Sequence, residues 1–223
     1  MLGGEAMASK HMRGKEKKGK GTKEKPKSII YVFCEGETEK IYLRHFSNRT
    51  YNVSVIPVDT EHTDAIGIVR FAKAYIRDNP LNLEFGDRGY CVFDSDPASN
   101  PNISEAFNLI KDMEHKGLEC IFSNPCFETW FVLHYTNAPV GKSAQQMKSY
   151  IKKLIKNDCS EYSETTDIFE LLLPKQKEAL KRARLLADGQ AKVYNSVHSH
   201  ECNPYTDMYS FLEYMDIIKE KRY

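Results

Sequence analysis

Residues 31–39 read YVFCEGETE, an apolar run that breaks into three glutamates within five residues. The run at 29–34 is continuously apolar rather than alternating, the signature of a strand buried on both faces of a parallel sheet. Gly36 closes it, and 38–46 follows with helical spacing, Ile41, Tyr42 and His45 being available to one face. Carboxylates crowded at one strand end repel each other and resist ionising unless positive charge sits among them. Glu35 and Glu39 lie one helical turn apart and can converge on one ion, whereas Glu37 is expected to face solvent.

Working outward, the same punctuation recurs. A β-branched run at 51–58 reads as a second strand, and 64–78 carries Ala65, Ile68, Val69, Ala72 and Ile76 at helical spacing behind a Thr63 or Asp64 cap. GYCVF at 89–93 is a third buried strand, stopped by Asp94-Ser95-Asp96-Pro97. A helix at 104–116 ends at Gly117, a fourth strand spans 118–122, and Asn124-Pro125 breaks it. Strands alternating with helices predict an α/β fold with a parallel β-sheet of about four strands flanked by helices. From Cys126 the pattern turns helical, at 127–135, 144–156, 175–187 and 205–221. The expected organisation is a basic disordered arm at 1–27, an α/β core at 28–137 and a helical C-terminal part at 138–223 packed on it.

Charge and cysteine usage bound the setting. The net charge of +1 conceals an asymmetry: residues 1–28 hold nine Lys/Arg against three Glu (+6), and the other 195 hold 23 basic against 28 acidic residues (−5). The arm has almost nothing apolar to bury, which predicts disorder and leaves it able to touch phosphates without reading sequence. Six scattered cysteines (Cys34, Cys91, Cys120, Cys126, Cys159, Cys202) form no CxxC pair and read as buried thiols in a reducing compartment, hence a cytoplasmic protein. No apolar run approaches the roughly 18 residues of a membrane span, and the lysine-rich start lacks a secretory signal's apolar region.

In open parallel sheets ligands gather outside the carboxyl ends of the strands. Three such ends here carry acid: Glu35 after the first, Asp94 and Asp96 after the third, and Glu128 just past the fourth. If the chain stays extended, Asp94 and Asp96 point to one side. An oxygen-only ligand set suits a hard divalent cation such as Mg²⁺. Each carboxylate alone reads equally well as a helix cap; their recurrence at three strand ends favours a metal site. Three other candidates are set aside. GKEKKGKG at 14–21 has Gly21 where a phosphate-binding loop needs Ser/Thr, and no strand precedes it. His198-Ser199-His200-Glu201-Cys202 offers zinc ligands without the spaced pairs of a structural site and reads as a polar loop. Cys126 with His134, in an apolar helix start, reads as packing rather than a nucleophile and its base.

CEGETEKIY, VFDSD, SNPCFETWFVLHY and NPYTDMYSFLEYM, in that order, resemble the RloB family, whose members are encoded near bacterial restriction and anti-phage loci. The strand-Glu-Gly and strand-DxD elements also resemble the Toprim domain of topoisomerases, primases and overcoming-lysogenization-defect nucleases. The resemblance covers about residues 28–218. It implies a Toprim-like sheet and a catalytic centre of Glu35, Glu39, Asp94, Asp96 and Glu128, with Glu35, Asp94 and Asp96 holding Mg²⁺ or Mn²⁺. Glu35 matches the Toprim glutamate, Asp94 and Asp96 its DxD pair, Glu39 the nucleases' second glutamate, and Glu128 the acidic position of the RloB pattern. Those nucleases carry a lysine close after the third acidic motif; 128–137 has none, and Lys40 and Lys142 are weak substitutes.

The implied activity is metal-dependent hydrolysis of phosphodiester bonds in DNA or RNA, tRNA included, as an anti-phage defence that aborts infection. Strand passage through a tyrosine needs a further domain. A non-cleaving nucleic-acid- or nucleotide-binding effector acting with a partner is the alternative. Any energy coupling would come from a partner ATPase, and an oligomer is compatible with the sequence. An acidic centre acting on a polyanion needs a basic surface, and Lys152, Lys153 and Lys156, with Lys177, Lys181, Arg182 and Arg184 on the 175–187 helix, are the candidates.

Overall fold

The computed structural model describes residues 27–47, 51–98 and 100–220. The basic arm expected at 1–27 therefore lies, apart from Lys27, outside the described residues. Five strands form one sheet: β1 (Ser28–Cys34), β2 (Val53–Pro57), β3 (Arg88–Asp94), β4 (Leu118–Asn124) and β5 (Tyr205–Thr206), in the order β2-β1-β3-β4-β5. β1 pairs in parallel with β2 and β3, and β3 with β4; β5 alone runs antiparallel, on the outer edge of β4. The helices are α1 (Glu37–Leu43), α2 (Ala65–Asp78), α3 (Ile103–Lys111), α4 (Glu128–Leu133), α5 (Ala144–Leu154), α6 (Phe169–Leu172), α7 (Gln176–Ala191) and α8 (Met208–Glu220). The expected α/β class stands, with a fifth strand added. Residues 205 and 206, read as the start of a helix, instead pair with Asn124 and Ser123. A two-residue strand is too short to show a period of two, which is why the pattern does not reveal it.

The central strands alternate between two cores, so neither face is polar. Ile30, Val32 and Cys34 of β1 and Tyr90 and Val92 of β3 face α1, α4, α5, α7 and α8. Tyr31, Phe33, Cys91 and Phe93 face α2 and α3. This two-sided burial explains the unbroken apolar run that opens the chain. On the first face Tyr42 of α1 packs among Phe46, Phe127, Phe131 and Phe169, with ring centroids 5.3–5.9 Å apart. The C-terminal helices thereby share a core with β1.

Local chemistry sets the boundaries. Asp64, rather than Thr63, caps α2, its carboxylate accepting from the Gly67 N–H at 2.9 Å. Ser143 and Gln146 form a reciprocal capping box at the start of α5. Gly117 stops the segment before β4 in the left-handed region at φ +80°. Among the described residues no helix is long and apolar enough to cross a membrane.

Chain order places a switch point at β1. After β1 the chain moves to β2 on one side, then crosses to β3 on the other. The helix after β1 and the helix after β2 accordingly lie on opposite faces. The carboxyl ends of β1 and β3 lie side by side there, the place where such sheets bind ligands.

A Cβ on Gly117 would lie 2.5 Å from Leu83 Cδ2, in addition to the cost of the left-handed backbone. Gly117→Ala is expected to lower the urea-unfolding free energy by about 1–3 kcal/mol while leaving the slope with denaturant unchanged.

Candidate active site

Glu35 leaves the end of β1 with its N–H bonded to the Val92 carbonyl of β3 at 3.2 Å, and its Oε2 receives the Asp94 N–H at 3.5 Å. The two strand ends are thus joined through the first carboxylate. Asp94 is the last residue of β3, on the same side of the sheet as Tyr90 and Val92. Glu39 sits in the first turn of α1, 5% exposed, and Glu128 opens α4 at 2% exposed. Tyr162 donates to Glu128 Oε1 at 3.5 Å. These four acids share one electrostatic neighbourhood: the charges of Glu39, Glu128 and Glu35 all act on Asp94, and those of Glu128 and Glu35 on Glu39.

Past Asp94 the ladder to β4 continues for one more residue, the Ser95 N–H bonding the Ser123 carbonyl at 2.8 Å. Asp96 follows, its Oδ1 accepting from the Ala98 N–H at 3.0 Å and its carbonyl from the Asn100 N–H at 2.7 Å. Its charge reaches Glu35.

Burial drives the electrostatics. It raises the Glu39 carboxyl to about 7, with the charges of Glu128 and Glu35 adding to the shift. Burial and the same neighbours push Asp94 well above the usual carboxylate range, and burial raises Glu35 against the opposing Asp94 N–H. Glu39 Oε2 is buried with no hydrogen-bond partner. A buried carboxylate oxygen left without a donor is costly, so this one is a place for a cation or a proton. Gly36 makes room for it: a Cβ there would stand 2.9 Å from Glu39 Oε2. The glycine of CEGETE is thus a matter of clearance, since its backbone is extended.

A lysine absent from the expected position is supplied by another element. Lys148 of α5 bonds Glu164 at 2.6 Å, and its charge lowers the pKa of Glu35, Glu39 and Asp94 alike. Partial burial opposes its own ionisation, but Glu164 and Glu128 outweigh that and hold it firmly protonated. Lys40, one of the two suggested substitutes, is engaged by Glu37 and Asp59 at 3.1 and 3.3 Å. In sequence Lys148 looks like any solvated lysine beside a buried Met147. Which side of α5 turns toward the acids is decided by packing.

The expected basic surface divides in two. Lys152, Lys153, Lys156, Lys177 and Lys181 are exposed. Lys152 lies one turn beyond Lys148, near enough that its charge acts on Glu164. Arg182 instead donates to the Leu133 carbonyl at 2.6 Å, closing the C-terminal end of α4, and Arg184 pairs with Glu213 at 2.6 Å. Cys126 is buried and His134 bonds the Trp130 carbonyl at 2.9 Å, so neither is poised as nucleophile or base.

The family model for RloB-like proteins matches residues 30–215, from β1 into α8 and across every acidic residue of the site. The chain belongs to the RloB-like family. No curated protein and no solved structure matches it. The match takes in β5 and Lys148 as well as the α/β half, so the RloB-like unit includes the C-terminal helices that complete the site's surroundings.

In divalent-free buffer the folded chain keeps a proton on Glu39 that the unfolded chain has released. Stability should therefore fall as pH rises from the ordinary carboxylate value of 4.5 to about 7, the folded value. Glu39→Gln should flatten that fall. Millimolar Mg²⁺ or Mn²⁺ should raise the melting temperature of the parent more above this window than below it, as differential scanning fluorimetry can show.

Proposed function

We propose that this RloB-like chain is a metal-dependent nuclease that hydrolyses phosphodiester bonds of RNA or DNA in bacterial anti-phage defence. The observation that carries the reading is the set of four buried or half-buried carboxylates at the β1–β3 switch point, one with an oxygen that nothing in the fold satisfies. The oxygen-only donors of Glu35, Glu39, Asp94 and Glu128, with Asp96 beside them, fit a hard divalent cation. The Glu-Gly and DxD resemblance to Toprim nucleases agrees with that choice. Bound there, Mg²⁺ or Mn²⁺ would supply Lewis-acid polarisation of a phosphoryl oxygen.

The chain's own residues account for the rest. Glu39, whose carboxyl burial holds above the usual carboxylate range, would accept a proton from an attacking water. Lys148 brings a permanent positive charge to a negative centre, offsetting the repulsion that a phosphodiester would meet. The exposed Lys152, Lys153 and Lys156 extend that charge along α5, a track for a nucleic-acid backbone leading to the acids. This reading draws on α5 rather than on Arg182 and Arg184, which are committed within the fold.

The test incubates the full chain with tRNA, ribosomal RNA and plasmid in Mg²⁺ or Mn²⁺, beside Asp94→Asn, Glu39→Gln and Lys148→Met. Cleavage on gels should drop by about 100-fold or more in each variant. Parent-level cleavage by Asp94→Asn would sink the site. If the parent cuts none of these yet retains salt-sensitive RNA binding, the non-cleaving effector is the better description. Neutralising Lys152 and Lys153 together should weaken binding uniformly across sequences. It should also reduce the slope of log affinity against log salt by about one for each phosphate that is no longer neutralised.

A further inference from the structure

On the other face of the sheet, three potential metal ligands from separate parts of the chain converge. Cys120 comes from β4, His198 from the loop after α7, and Asp207 from the residue just past β5. One donor atom from each lies within 4.8 Å of the others. His198 Nε2 is 3.0 Å and Cys120 Sγ 3.8 Å from Asp207 Oδ2. In a tetrahedral zinc site with Zn–N and Zn–O near 2.0 Å and Zn–S near 2.3 Å, those edges are about 3.3 and about 3.5 Å. These two edges bracket the tetrahedral values, and the third, from Cys120 Sγ to His198 Nε2, lies within 4.8 Å and would close toward about 3.5 Å around a shared ion.

The surroundings hold these side chains in place. The Asp207 carboxylate is buried and receives the Phe122 N–H at 3.0 Å and the Tyr205 hydroxyl at 2.7 Å. Such hydrogen bonds aim a carboxylate ligand in established metal sites. The His198 ring stacks on Phe107 with centroids 4.7 Å apart and an 11° interplanar angle, and meets the edges of Phe122 and Tyr205. A cleft of about 350 Å³ opens beside the three donors, walled also by Ile110, Glu114, Glu119 and Ser210. Of its two further glutamates Glu119 is paired with Arg88 at 3.3 Å, and the cleft's volume admits water to a fourth position.

We propose that Cys120, His198 and Asp207 form a second metal site, for Zn²⁺ or a similarly borderline transition-metal ion, with water completing the tetrahedron. Thiolate and imidazole ligands select this class over Mg²⁺, separating it chemically from the oxygen-only acidic centre. The site pins the segment before β5 to the edge of the parallel sheet. That segment touches the acidic centre's loop: His200 accepts from the Ser95 hydroxyl at 2.8 Å and donates to the Asn100 carbonyl at 3.0 Å, and Asn124 donates to the Ser199 and His200 carbonyls. A metal there steadies the Asp94-Ser95-Asp96 turn from behind.

The experiment titrates Co²⁺ into the purified, metal-stripped full chain in excess Mg²⁺ and records the visible spectrum. One equivalent should produce a thiolate-to-cobalt charge-transfer band with tetrahedral ligand-field absorption, displaced by Zn²⁺. Cys120→Ser and His198→Gln should abolish the thiolate band, and Asp94→Asn should keep it. Zn²⁺ should raise the melting temperature of the parent and not of Cys120→Ser. Cys120→Ser is close to isosteric and keeps a donor for Asp207, so it serves as the deciding variant if His198→Gln does not fold. Absence of the band in the parent, or its persistence in Cys120→Ser, overturns the site.

Discussion

The repulsion among Glu35, Glu39, Asp94 and Glu128 is the constraint around which this structure is arranged. Like charges this close cannot all ionise without a counter-charge, and Glu39 and Glu128 are buried away from the water that would screen them. The fold meets the problem only in part. Among the described residues it supplies the Asp94 N–H to Glu35, the distant Tyr162 hydroxyl to Glu128 and the Lys148 ammonium, itself shared with Glu164. What remains uncompensated, above all Glu39 Oε2, is energy held in the folded state.

The two faces of the sheet divide the chemistry. On one, carboxylates gather at the carboxyl ends of β1, β3 and β4, with α5 bringing the Lys148 ammonium. On the other, sulfur, nitrogen and oxygen donors meet beside β4 and β5. The loop carrying His198 and His200 joins the two, because His200 bonds the turn that holds Asp96. The short antiparallel strand that closes the sheet's edge therefore also positions a loop against the acidic centre.

Legibility followed range. β1, β3 and β4 could be read from continuous apolar runs, and α2 from its spacing and the Asp64 cap, because these signals lie within a few residues of one another. Glu35 and Asp94 could be placed at one edge because parallel strands deliver their carboxyl ends together. Lys148 was not legible, since which side of α5 faces the acids depends on how Met147 and Ile151 seat in the core. Arg182 and Arg184 look like members of a basic face until their partners, Leu133 and Glu213, are seen. His198 offers no ligand pair in sequence, because Cys120 lies far upstream in β4 and Asp207 beyond β5.

The sequence by itself determined the layer order of apolar strands and helices and the acid at the strand ends, because both follow from local periodicity and chain direction. Only the tertiary structure decided that Glu39 Oε2 is left without a partner, that Lys148 brings a positive charge, and that Cys120, His198 and Asp207 meet. Those outcomes depend on the distance between side chains remote in sequence, which packing sets and periodicity does not encode.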